Sequence, residues 1–165
     1  MIAAADYRID VVVRCAAWRT ACAAAPALAE AAAQLALRRQ AAPPEAVVDI
    51  ALVDDAEQRR LNHIWRGTDA STNVLAFGAA DPTTRVPPGA PLLLGDVVLA
   101  FETVRREAAE QRKPLADHLR HLVVHGVLHL LGCDHAEADE AAAMEAREIA
   151  ILAELGVPNP YRDTM

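Results

Sequence analysis

The chain has 165 residues, 53% hydrophobic and 24% charged, which is long enough for one domain with a buried core and too apolar for wholesale disorder. Sixteen basic residues against 23 acidic ones give a net charge of −7, which argues against coating nucleic acid by bulk charge but leaves room for a local basic cleft. The three cysteines, Cys15, Cys22 and Cys133, are odd in number and show no CxxC spacing, so a disulfide framework is not expected and a reducing compartment is.

The first ten residues lack the basic-then-apolar pattern of a signal peptide. The alanine-rich stretch 16–42 is interrupted by Arg19, Glu30, Gln34, Arg38 and Arg39, which is too polar to cross a bilayer. A cytoplasmic protein with no membrane partner is the expectation. Fifteen of the sixteen basic residues are arginine, a preference that suits phosphate but equally suits a genome of biased composition.

Residues 7–14 carry a β-branched apolar run (Ile9, Val11, Val12, Val13) and predict the first strand. Residues 17–40 are dense in strong helix formers, with Pro26 in the first turns or at a break between a short and a longer helix. A second strand is predicted over 47–53, and Asp54–Asp55 then caps a short helix over 56–65. Residues 73–77 form a third short strand, and the proline-rich stretch 81–91 a long loop. A fourth strand spans 92–100 and a helix 102–112. Pro114 opens a helix over 115–131 that Gly132 stops, and a last helix over 136–155 ends at Gly156 and Pro158. With no internal repeat and no long linker, the expected fold class is α+β: a single domain, residues 1–165, with a small mixed four-stranded sheet packed with helices.

The segment from His125 to His135 carries the chemistry. His125 and His129 are four apart on a predicted helix, so their rings project from one face and reach one metal ion. Gly132 allows the chain to turn back sharply, and His135 then returns to the same ion. Three imidazoles with an open fourth position define a catalytic zinc site, since structural sites are closed by four protein ligands. His118 and His121 lie nearby on the same helix; His121, one turn before His125, is a substitute ligand or a group that orients one. The spacing resembles the HExxHxxGxxH signature of zinc peptidases, so the helix is zincin-like, but Gly126 stands where those enzymes place their glutamate base.

The string HGVLHLLGCDH resembles the HGxLHLxGxDH signature of the YbeY family, bacterial zinc-dependent endoribonucleases of ribosomal RNA maturation and ribosome quality control. In order along the chain, Leu61-Asn62 through Arg66 with Thr72 to Phe77 resembles that family's LN…R…T(D/N)VLSF block, and Leu94 to Val97 its LGDI strand. Met144-Glu145 and Asn159-Pro160-Tyr161 resemble its C-terminal ME and NPY positions. The resemblance spans 47–161. Asn73 stands where aspartate is frequent, Ala76 replaces a common serine, and Cys133 occupies a variable position.

The resemblance implies one Zn2+ per chain held by His125, His129 and His135, with Arg66 and His125 as catalytic residues. It further implies cleavage of single-stranded RNA, in particular ribosomal RNA during 3′-end maturation of the small ribosomal subunit, and no DNA substrate. Partners would be the small subunit, ribosomal proteins or an assembly GTPase. Arg66 would stabilise charge on the phosphate by paired hydrogen bonds. The general base stays open between a water on the metal, the RNA 2′-hydroxyl activated by a histidine, and a distant carboxylate. Arg59 and Arg60 are read as backbone contacts, and Trp65 either as a stacking platform or as core packing. Glu137, Asp139 and Glu140 suit the start of the last helix, and Asp134 is placed to orient an imidazole. Two competing classes remain: a ribosome-assembly factor that binds RNA and proteins, its zinc mainly structural, and a zinc hydrolase acting on another substrate.

Overall fold

The computed structural model of the chain describes residues 6–78, 87–133 and 136–162. Asp134, His135 and most of the proline-rich stretch therefore lie outside the described residues. Strand β1 (Arg8–Val13) is followed by helices α1 (Ala17–Ala21) and α2 (Ala25–Arg39), then β2 (Ala46–Val53). Helix α3 (Asp55–Arg66), strands β3 (Val74–Gly78) and β4 (Leu92–Ala100), and helices α4 (Phe101–Glu110), α5 (Leu115–Leu130) and α6 (Ala138–Glu154) complete the order.

The sheet is mixed, in the order β1-β2-β4-β3. β1, β2 and β4 run parallel, while β3 returns antiparallel on the edge of β4. The alternation that marks each strand divides the sheet into two faces. Val48, Ile50 and Leu52 of β2 and Val97 and Leu99 of β4 join the main core with Leu119, Leu122, Val123 and Val127 of α5 and Ile151 and Leu152 of α6. The opposite face carries Asp10, Asp49 and Asp96 side by side in register across three strands.

The alanine content has a packing reason. Ala25, Ala29, Ala32, Ala33 and Ala36 form the buried face of α2, which packs on β1, α5 and α6. Small side chains let the two helices approach closely, and alanine keeps intrinsic helix propensity high. Pro26 sits in the first turn of α2, where a missing N–H costs nothing, and α1 is the short helix before it. Trp18 of α1 is fully buried, donating its Nε1–H to the Val53 carbonyl at 2.9 Å with its ring against the edge of Phe101. Asp54 caps α3 by accepting the Glu57 N–H at 2.8 Å, and Gly67 ends that helix with φ at 70°. Helix α4 stops at Glu110, before the expected end at residue 112, because Arg112 takes the left-handed conformation (φ 55°) that turns the chain into α5.

Candidate metal centre and cleft

Helix α5 presents two faces of opposite character. Leu119, Leu122, Val123, Val127 and Leu128 are buried, whereas Asp117, His121, His125 and His129 form a part-exposed stripe every fourth residue. Gly126 faces the sheet. A Cβ there would stand 2.7 Å from Val97 Cγ1 and 3.5 Å from Val74 Cγ2, so glycine is what lets α5 lie against β3 and β4. The β-branched residues around it are poor helix formers, and tertiary packing overrides that preference.

The ring nitrogens of the stripe converge. Nε2 of His125 and Nε2 of His129 are 3.1 Å apart, with ring centroids at 4.6 Å. Two imidazoles on a tetrahedral zinc, each at about 2.1 Å, would hold their nitrogens about 3.4 Å apart, so the pair fits a shared ion within a few tenths of an ångström. Among the described residues no group of three or more histidine, cysteine, aspartate or glutamate side chains is arranged to hold a metal. The third expected ligand, His135, lies outside the described residues.

Glu148 of α6, which the sequence reading did not single out, organises this stripe. Its side chain is fully buried, and its Oε1 lies 3.0 Å from Nδ1 of His125 and 3.1 Å from Nε2 of His121. Its Oε2 accepts from the Tyr161 hydroxyl at 2.8 Å. Burial pushes the Glu148 carboxyl up, but the hydrogen bonds from His121 and His125 outweigh it and hold the group at about 2. An ionised carboxylate only accepts, so His125 carries its proton on Nδ1 and turns the lone pair of Nε2 toward His129. A carboxylate behind a ligating imidazole is the usual outer partner of a metal-bound histidine. Burial and the bond to Glu148 push the Tyr161 phenol well above its ordinary value, so it remains a donor.

Arg66, at the end of α3, shares one cavity of about 320 Å³ with His125, Gly126, His129 and the strand β3. Its guanidinium donates to the Ala76 carbonyl and lies 4.8 Å from the centre of the Phe77 ring. Asn73 closes the same cavity and is tied to Glu107 of α4 at 2.9 Å. The same Glu107 oxygen holds Nε2 of buried His118 at 2.8 Å. His118 thus braces the cleft wall and stands apart from the imidazole pair, its own proton affinity pushed down by burial.

The other cations and the tryptophan of α3 are placed differently. Arg59 pairs with Asp69 at 2.7 Å, and Arg60 lies 3.9 Å from Glu57. Trp65 is 72% exposed, which rules out the core-packing alternative. It lines a separate cavity with Leu61, Phe77, Asp96 and Val98, on the sheet face that carries the aspartates. Asp139 and Glu140 occupy the first turn of α6, and Glu137 precedes it without a side-chain cap.

An α+β domain that sets two convergent imidazoles and an anchored arginine in one cleft belongs, by its architecture, with proteins whose chemistry is built on one helix face. The model of the family described as Endoribonuclease YbeY matches residues 17–156. The chain belongs to this family. An endoribonuclease YbeY of Paramagnetospirillum magneticum is 52% identical over 155 residues, covering 93% of this chain and 94% of the relative. That of Pseudomonas fluorescens is 53% identical over 132 residues, covering 79% and 82%. The solution structure of TM1509 from Thermotoga maritima superposes with a TM-score of 0.59 at 18% identity, covering 94% of this chain and 96% of that one, a likeness of fold.

Proposed function

We propose that this protein is a zinc-dependent endoribonuclease that cuts single-stranded RNA, with ribosomal RNA of the small subunit as its substrate in 3′-end maturation and in quality control. The observation that carries the reading is the 3.1 Å approach of the His125 and His129 Nε2 atoms in a cleft shared with Arg66. Membership of a family whose curated relatives are named endoribonucleases supports the substrate class. No helix among the described residues is long and apolar enough to cross a membrane, which agrees with a cytoplasmic site of action.

His125, His129 and His135 would hold one zinc ion, which supplies Lewis-acid polarisation of a phosphate oxygen or a water. Arg66 has five N–H donors, of which one is spent on the Ala76 carbonyl that anchors it. The rest serve the phosphate, whose negative charge grows in the transition state. Glu148 is buried and already accepts from three side chains, so it orients His125 and does not activate water.

The test is cleavage of single-stranded RNA by the purified protein beside His129→Ala and Arg66→Gln, with elemental analysis of each. Wild type should cut and carry about one zinc per chain, and His129→Ala should lose both. Arg66→Gln should keep its zinc and cut about 10²- to 10³-fold more slowly. Equal cleavage by all three samples would sink the reading, as would zinc-loaded wild type that leaves RNA intact.

A further inference from the structure

We propose that the cavity at the turn between α4 and α5 is a phosphate-binding subsite for the RNA strand, separate from the cleft that holds Arg66 and the imidazole pair. The inference rests on the RNA-cleaving reading and extends it.

The half-exposed stripe of α5 joins two cavities. One end, at His125 and His129, belongs to the cleft already described. The other end, at His121 and Asp117, opens into a second cavity of about 410 Å³ whose walls include Arg112, Lys113, Tyr161 and Arg162. At 1.5 Å of rise per residue, the start of α5 at Leu115, two residues past Lys113, lies about 15 Å along the helix from His125, a span of several nucleotides of single strand.

The cations around this second cavity, Arg112, Lys113 and Arg162, have no carboxylate within 4 Å among the described residues, although Asp117 and Glu107 act on the Lys113 ammonium from farther away. Seven of the described arginines (Arg8, Arg14, Arg38, Arg39, Arg59, Arg60 and Arg120) stand within 4 Å of a carboxylate, while Arg19, Arg66, Arg105, Arg106 and Arg147 do not and line no part of this cavity. Lys113, the chain's one lysine, is also partly buried, and that desolvation pushes its ammonium down. The carboxylate in the cavity wall, Asp117, is already neutralised by Arg120 at 2.6 Å. In a chain of net charge −7, three cations without a close carboxylate gather around one hollow that has a single carboxylate, Asp117, in its wall. Arg112 adds a second sign. It holds φ at 55°, which glycine adopts without steric cost and arginine does not. The turn thus sets two cations in succession at the cavity wall.

A polyanion that continues past the imidazole pair fits this layout. Its scissile phosphate would lie by Arg66 while a phosphate several nucleotides away meets Lys113 and Arg162. The arrangement also resolves the conflict between an acidic chain and an RNA substrate, because the cations are local to the strand's path.

The experiment measures binding of the zinc-loaded full chain to a 2′-O-methyl single-stranded RNA, checked to be intact after each titration, across a salt series, for wild type, Lys113→Gln, Arg162→Gln and the double variant. Arg19→Gln, on α1 and outside both cavities, is the charge control. Each cavity variant should bind about two- to fivefold more weakly at low salt. The slope of log affinity against log salt should fall by about 0.7 for each phosphate contact removed, while Arg19→Gln keeps the wild-type slope. An unchanged slope in the double variant overturns the proposal, as does an equal drop in Arg19→Gln or a wild type that does not bind. Wild type that cuts RNA while the variants keep its slope removes the subsite alone. Wild type that binds with the expected slopes but never cuts removes the nuclease reading and leaves the subsite standing.

Discussion

Glu148→Gln separates the charge of the buried carboxylate from its shape. Glutamine is nearly isosteric, its oxygen can keep the bonds from His125 and His121, and the Tyr161 hydroxyl can reverse to accept from the new amide. The fold should survive, and two properties should change. The first is acid stability. The carboxyl is held at about 2 against an ordinary 4.5, so its contribution is present above 4.5 and lost as pH falls from there toward 2. The gap corresponds to on the order of 3 kcal/mol for a group with no exposed side-chain surface. Urea unfolding of metal-free protein at stepped pH should show wild type losing that increment below pH 4.5 and the variant losing far less. The second is metal affinity: without the carboxylate behind Nδ1, the His125 lone pair is less basic, and zinc should bind about 10- to 100-fold more weakly in chelator competition. A variant with wild-type zinc affinity and wild-type acid dependence would refute the role assigned to Glu148.

Two further substitutions test the packing that supports the site. Gly126→Ala pushes a methyl into Val97 and should cost about 1–3 kcal/mol, read as a lower urea midpoint; an unchanged midpoint would mean α5 lies less tightly on the sheet than described. Asp49→Asn should stabilise the protein at neutral pH by about 0.2–1 kcal/mol, because Asp49 faces Asp10 and Asp96 in register. Burial first, then Asp10, raises the Asp49 carboxyl, so its ionised form costs stability once pH exceeds the ordinary 3.8. The variant's advantage in thermal melts should therefore vanish below that pH, and an advantage that persists in acid would contradict the charge explanation.

Strands β1 and β2 were legible from their β-branched runs, and β4 has the predicted ends, 92 and 100. The helices were legible from caps and breakers: Asp54, Pro26 and the left-handed glycines 132 and 156 stand at or near the ends they mark. What could not be read was which side chain meets which across the fold. Arg59 looked available for RNA until Asp69, ten residues on, was found paired with it. Trp65 falls seven residues after buried Gln58, on the same side of α3, but one residue from the helix end, where it borders an open cavity with Leu61, Phe77 and Val98 and stays exposed. Glu148 left one trace: it falls among Met144, Ile151 and Leu152 on the buried stripe of α6, a glutamate where the helical period calls for an apolar residue. A charged residue on a buried stripe needs partners, and here they are two histidines of α5 and a tyrosine beyond α6.

Gly126 and Glu148 together account for the difference from the zinc-peptidase pattern. A residue next to His125 in sequence points about 100° around the helix from it, and in this fold that direction leads into Val97 and Val74. No glutamate fits there, so α5 cannot carry the base that peptidases place between their two histidines. The carboxylate that the imidazoles do meet comes from α6, on the far side of the stripe from β3, and it is sealed from solvent by His121 and Tyr161. A carboxylate so placed sets the tautomer of His125 but has no path to a substrate water. Among the described residues the cleft lining then offers imidazoles, an arginine, Thr72 and Asn73 but no carboxylate, and a substrate that brings its own nucleophile, as RNA does in its 2′-hydroxyl, asks least of such a site.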